Sequence, residues 1–367
     1  MSPLHSLAAA SKAAAITFKS TWFSHRIERA HVSQKRVDDC KLPLDGRYFI
    51  TTERGVFRIE KSGIYKVLDL PAYGISADKD YLYLALFLGS RSTLVRGRIG
   101  PFLGQDGAAD LEEIYSVPLQ SSNQRMHALW LGKTHLWVAN TGRNSLIRLD
   151  RATLSERLEI PLFSDQFGYD LLHDVNHVNG VSEYDGTVFF SAYRAGEQSM
   201  LGYIDGHKIT GFAYPNVGIH DIYLSSEGIF FCDTFGPAGS QSGGAVMTAN
   251  GPFDPAYLSG EKGYVLRGLA GSPEEMLIGH SHKGKRRERF EGKGSLLLGI
   301  NGRIQGEQPI AAAQVYQIMT CEGSFLSPPP EAMTAIKAHK LLATHLGDPI
   351  YEASIRPREL APPSANS

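Results

Sequence analysis

Apolar and polar positions follow one phrase that recurs five times along the chain. YGISADKDYLYLALF from Tyr73, HALWLGKTHLWVANT from His127, NGVSEYDGTVFFSAY from Asn179, HDIYLSSEGIFFCDT from His220 and RGLAGSPEEMLIGHS from Arg267 share it. Each has an apolar residue two places in and a second apolar run seven further on: Ile75 and Leu82, Leu129 and Leu136, Val181 and Val188, Ile222 and Ile229, Leu269 and Met276. Turn formers such as Ala77-Asp78-Lys79-Asp80 and Tyr184-Asp185-Gly186 lie between the runs. The phrase predicts a β-hairpin whose strands are apolar nearly throughout, as burial on both faces requires.

The phrases start 54, 52, 41 and 47 residues apart, which is the length of a four-stranded propeller blade. Outer strands are legible as SLIRLD and SERLEIPL, MLGYID and KITGFAYP, and GSLLLGING and RIQGEQPI. A further step of 47 reaches Gln314 in AAAQVYQIMT, an apolar strand without a hairpin partner after it. Near the N-terminus, RYFITTERGVFRIEKSGIYKVLDL supplies strands that lack an inner one. Joined, the two make a further blade and leave no open edge. The expected fold is therefore all-β, a six-bladed β-propeller over 41–320 closed by strands from both termini. Residues 1–40 form an N-terminal segment and 321–367 a C-terminal helix and tail. The helix is read in PPPEAMTAIKAHKLLATHL, entered through Pro330, with Ala332, Ile336, His339, Ala343 and Leu346 on one stripe. Residues from Pro357 onward read as disordered.

Composition adds constraints. With 38 Gly and 19 Pro in 367 residues, many tight turns are expected. A formal net charge of -1 gives no basis for nucleic acid or a membrane surface as the main partner. Cys40, Cys232 and Cys321 are widely spaced without a CxxC, so neither a disulfide framework nor a cysteine zinc site is expected, and a cytoplasmic location follows. No run approaches the ~18 apolar residues of a membrane span. The N-terminal MSPLHSLAAASKAAAITFKS, with Glu28 as the first acidic residue, offers export or organellar import as the alternative. Walker and GxGxxG loops are missing, so no nucleotide cofactor is expected. A GxSxG elbow is missing too, and Ser-His-Asp catalysis has no support.

Candidate chemistry follows from the repeat. Inner strands of a propeller begin at one mouth of the central channel, and each second strand ends there. The first residues of the phrases, Tyr73, His127, Asn179, His220 and Arg267, with Gln314 for the closing blade, are expected around the axis. Residues thirteen later, Leu86, Asn140, Ala192, Asp233 and His280, are expected beside them. Imidazole, amide and carboxylate are ligands of zinc, manganese, iron or calcium. His127, Asn179, His220 and His280 are the candidate metal ligands, with His177 as an alternative third histidine. His127, His177, His220 and Asp233 are the candidate catalytic residues. HDVNHVNG brings His173 and His177 to the same mouth, and after His280 comes the basic run SHKGKRRERFEGKG. Tyr73, Asn140, His173, Arg267, His282 and Arg286 are the candidate substrate contacts, and the basic residues favour a small anionic substrate.

The segments NGVSEYDGTVFFSAY and HDIYLSSEGIFFCDTFG resemble blades of the six-bladed superfamily of gluconolactonases, paraoxonase-type lactonases and strictosidine-synthase-like proteins. HALWLGKTHLWVANT, HVNG and RGLAG are similar to an uncharacterised bacterial propeller family. The resemblance implies an axial divalent ion held by Asn, Asp and Glu, with Asn179 at the asparagine position and Asp221 or Asp233 near the aspartate. This chain departs from that pattern, because His127 and His220 take axial places and no axial glutamate appears. A softer ion or a metal-free histidine acid/base site is then expected. The leading expectation is a hydrolase or lyase acting on a small anionic, sugar- or lactone-like substrate. A non-catalytic propeller binding a small ligand or a protein is the first alternative, and a metal-histidine oxygenase the second. Oligomeric state is not legible.

Overall fold

The computed structural model describes residue 27 and residues 32–360 apart from 89–90, 107–109, 119–124, 156, 163–175, 194–197, 217, 225–227, 236–243, 249–250, 258–263, 273, 283–290, 322–334 and 356. Its strands form six antiparallel sheets, the blades of a propeller. Blade one runs outward from Val315–Thr320 through Tyr48–Thr52, Gly55–Glu60 and Gly63–Leu68. It thus joins strands from both ends of the chain, as the unpaired sequence runs required. Blades two to six begin at the axis with Ala72–Ala77, Met126–Leu131, Val178–Tyr184, Ile219–Leu224 and Tyr264–Gly271. Each inner strand touches that of the next blade, and the last touches blade one, so the ring is closed.

The ends of the described chain add outer strands. Val32–Asp38 pairs with Gly63–Leu68 as a fifth strand of blade one, although the sequence reading put residues 1–40 outside the blades. Tyr351–Ser354 extends blade four and Arg358–Glu359 extends blade three, so ordered pairing continues past Pro357. The helix Ala335–Leu346 lies against blade four. His339 stacks on Tyr203 at 3.8 Å and 11°, and Leu342 is buried with the core of blades three to five. Ala343, expected on the packed stripe, is exposed. The contact face is therefore His339, Leu342 and Leu346, and it follows the blade surface more than the ideal helical stripe. Among the described residues no helix is long and apolar enough to cross a membrane.

Large apolar side chains, including Phe49, Phe57, Tyr83, Phe189 and Phe190, fill the space between blades and explain why the hairpin strands are apolar on both faces. Near the axis a hoop of hydrogen bonds crosses all six junctions. Thr51 Oγ1 donates to Tyr73 O (2.7 Å), Met126 N to Ser92 Oγ (3.0 Å) and Thr141 Oγ1 to Val178 O (2.6 Å). Asn179 Nδ2 donates to Ile219 O (2.8 Å), Thr234 Oγ1 to Leu266 O (3.1 Å) and Ser281 Oγ to Val315 O (3.1 Å). Each pairs a backbone group that the sheets leave unmatched at a blade edge, which in a buried setting saves about 1–3 kcal/mol per group. Gln317 ties three blades together from within the channel. Its Oε1 accepts from Ile75 N (2.8 Å) and Leu129 N (3.2 Å), and its Nε2 donates to Leu129 O (3.0 Å).

Candidate functional site

Every inner strand is bulged at the start of its phrase. The register slips between Ala72 and Gly74, between Val178 and Gly180, and between Leu266 and Leu269, with matching slips in blades one, three and five. A bulge leaves one residue unmatched and re-aims its side chain. In blade one the slip falls between Val315 and Gln317, so Tyr316 takes the axial place expected for Gln314. A further step of 47 falls two residues short of it, because interval lengths vary with outer loops and the bulge does not. Gln314 instead donates to His282 O and Ala313 O. Close approach restricts the next position: a Cβ on Gly74 would stand 2.1 Å from His127 O, and Gly268 has φ +75°.

The bulge also corrects the second set. The residues thirteen later pair with the residue that precedes each phrase: Leu86 with Ala72, Asn140 with Met126, Asp233 with Ile219, His280 with Leu266. Opposed residues share a sheet face, and these faces are packed between blades rather than turned to the axis. Asn140 Nδ2 donates to Ser145 Oγ (3.2 Å) within a network in which Arg143 holds the buried Glu159 by two nitrogens, at 2.8 and 3.1 Å. Asp233 accepts from Asn216 Nδ2 (2.5 Å) and Tyr214 Oη (3.1 Å) of the neighbouring blade. His280 is fully buried, with Nδ1 at 2.9 Å from Ser295 Oγ and 3.1 Å from Glu307 Oε1, and Nε2 at 3.2 Å from Tyr257 Oη. That trio has the composition of a hydrolytic triad without its geometry, since Ser295 donates its proton to Glu307 at 2.6 Å and is itself buried. Asn140, Asp233 and His280 are thus spent on the scaffold.

Around the axis the structure assembles a different group. Tyr316 stacks on Tyr73 at 4.0 Å and 15°, and Tyr73 lies 4.9 Å from His127. His177 is in edge contact with His127 (4.9 Å) and lies 6.1 Å from His220. Its backbone, φ +47°, is in the left-handed region. Such a conformation persists in a non-glycine residue only where surroundings impose it. Burial pushes the His127 pKa well below the ordinary imidazole value, with His177, Arg267 and Arg125 adding to the effect. The imidazole is therefore neutral at physiological pH. Arg267, in blade six, acts on His127 across the ring and also on Asp221 and Tyr316.

Three residues lie outside the sequence reading of the site, and a fourth was one of two alternatives. Tyr316 was displaced by the interval count. Arg125 precedes its phrase by two residues; its Nη1 donates to Tyr73 Oη, and its guanidinium covers the Phe87 ring at 3.5 Å. Gln317 was read only as part of an apolar run. Asp221, φ +57°, falls in the bulge of its inner strand, so of the two aspartates the resemblance offered it is Asp221 and not Asp233 that takes the inner place. Burial raises its pKa to about 6, against the opposing effects of the Gly268 N–H (2.7 Å), Arg267 and Cys232. The repeat favours Asp221 of the two, since it stands where the other phrases have Gly or Ala.

The axial residues do not fit the ion that the resemblance implies. Asn179, buried, spends its Nδ2 on Ile219 O and accepts from Ser191 Oγ at 2.8 Å. Asp221 accepts from Gly268 N, and His280 is remote from the ring. Among the described residues no group of three His, Cys, Asp or Glu side chains is placed to hold a metal ion. His282 lies beyond His280 on the same strand, 6.0 Å from Tyr264. His173 and Arg286 lie outside the described residues, as does most of the basic run.

No family model and no curated protein matches the chain. Among solved structures, the chain is similar to one from a nidogen/laminin complex (10% identity, 76% of this chain and 98% of that one, TM-score 0.48). It is also similar to a protein of unknown function from Bacteroides caccae (9%, 76% and 100%, TM-score 0.48). A third is the aldose sugar dehydrogenase of Streptomyces coelicolor (12%, 77% and 99%, TM-score 0.44). Likeness at this level carries nothing about activity. What the chain itself establishes is an all-β, six-bladed propeller in which Tyr316, Tyr73, His127, His177 and His220 form one series of ring contacts, with Arg125 on the Tyr73 hydroxyl.

Proposed function

We propose that this mouth is the active site of a metal-independent hydrolase or lyase for a small anionic, sugar- or lactone-like molecule, with His127 as the proton carrier. One observation carries the reading. Among the described residues, His127 has ring neighbours and charged neighbours but no hydrogen bond, whereas Asn179, Asp221 and Gln317 are committed to the scaffold. A neutral imidazole with unspent nitrogens in a polar concave site has the form of a general base.

Lactone opening illustrates the chemistry. His127 takes a proton from water as the water oxygen attacks the carbonyl carbon, and returns it to the ring oxygen as the C–O bond breaks. Arg267 holds the anionic group of the substrate. His177 positions the His127 ring by its edge contact and is itself in edge contact with His220. The alternative, a binding propeller without turnover, is favoured by how much of the axial polar chemistry is spent in holding blades together.

The test is turnover of a panel of sugar-acid lactones by the wild-type chain and by His127→Gln, with and without chelator. Removing a general base costs about 10²–10⁴ in rate, so the variant is expected to lose turnover while melting with the wild type. Turnover that survives in His127→Gln, or that disappears with chelator, overturns the reading. Binding of sugar acids without turnover selects the binding propeller.

A further inference from the structure

Arg125 is 8% exposed, and its partners are the Tyr73 hydroxyl and the faces of Phe87 and Tyr73. Its Nε is buried without a hydrogen-bond partner, and no carboxylate pairs with it among the described residues. A buried guanidinium without an opposite charge is costly, and an aromatic face offsets only part of that cost. The group is nonetheless held in place from two sides, which is preorganisation for an anion that the protein does not itself supply.

A second cation shares the mouth. Arg125 stands at the entry to blade three, and Arg267 belongs to blade six, across the ring. Both lie near enough to His127 to disfavour its protonated form. Arg125 reaches the His127 side through Tyr73, whose ring lies 4.9 Å from the imidazole, and Arg267 is carried by the inner strand of the opposite blade. Asp221, the acidic group on Arg267, belongs to blade five and is hydrogen-bonded toward blade six, so it does not neutralise Arg125.

We propose that the mouth recognises a molecule with two anionic groups, one taken by Arg125 together with the Tyr73 hydroxyl and the other by Arg267, with the reacting atoms between them at His127. Arg125 is then the residue that selects dianions over monoanions. This rests on the reading of the mouth as the substrate site, and it narrows the substrate class to dicarboxylates or phosphorylated acids.

The experiment is calorimetric titration of the wild-type chain with succinate, glutarate and 3-phosphoglycerate, and with the monoanions butyrate and glycerate. The best dianion is expected to bind at least about tenfold tighter than its monoanionic counterpart. Arg125→Gln should remove that preference and leave monoanion affinity within about twofold, whereas Arg267→Gln should weaken both. Tyr73→Phe, which keeps the aromatic stack and deletes the hydroxyl, should reduce the preference without touching fold, and serves if Arg125→Gln does not fold. Equal affinity for dianions and monoanions in the wild type, or an unchanged preference in Arg125→Gln or Tyr73→Phe, overturns the dianion inference while sparing the substrate site. Absence of binding to every acid overturns both.

Discussion

Asp221 is acidic, half-buried and left-handed in backbone at once, and replacing it by asparagine separates the cost of its charge from the role of its shape. Burial raises its pKa to about 6 in the folded chain, from the ordinary carboxylate value of about 3.9. A carboxyl whose folded pKa is raised is stable relative to the unfolded chain below about pH 4 and loses that advantage as pH rises through about 6. Two units at about 1.4 kcal/mol each give a cost near 3 kcal/mol above pH 7. Asparagine keeps the oxygen that accepts from Gly268 N at 2.7 Å. It also tolerates the left-handed φ of +57° at least as well as aspartate does. Asp221→Asn should therefore melt several degrees above the wild type at pH 8, with the gap closing toward pH 4. Thermal unfolding of both proteins across that range is the assay. A variant less stable than the wild type at pH 8 would mean that Arg267 more than compensates the buried charge, and a gap independent of pH would place its origin elsewhere; either result refutes the reasoning.

Two further substitutions test the scaffold. Gln317→Leu strands two N–H groups and one carbonyl of blades two and three, and should cost about 2–4 kcal/mol, since the position is half-buried. Hydrogen exchange at the Ile75 and Leu129 amides should accelerate with it, and unchanged protection there would rule out the bridge. Leu342→Ala empties a buried position between the C-terminal helix and blade four, and should cost about 2–4 kcal/mol. Urea unfolding measures it, and a loss under about 0.5 kcal/mol would show that the helix adds nothing to the propeller.

Part of the site was legible for the same reason as the fold. A repeat of period near that of a blade, read with its apolar positions, places the first residue of each phrase at the axis, so Tyr73, His127 and Arg267 could be named without coordinates. His177 was legible through its place two residues before Asn179. The second set failed together, since one unmatched residue per inner strand turns Asn140, Asp233 and His280 from the axis to the packed faces. A bulge changes no residue type and no spacing in the phrase, so apolar periodicity cannot reveal it.

The chain's own pattern therefore determined blade number, the hairpin order within blades and closure by both termini, because these depend on which residues must leave water and on the length of chain between them. Tertiary structure alone decided which polar groups are spent. Asn179 looks like a ligand until the Ile219 carbonyl is brought to 2.8 Å, and Arg125 looks like a loop residue until Phe87 and Tyr73 close over it. Burial and hydrogen-bond satisfaction are properties of a neighbourhood, and in a propeller each neighbourhood is made by blades whose residues lie far apart in sequence.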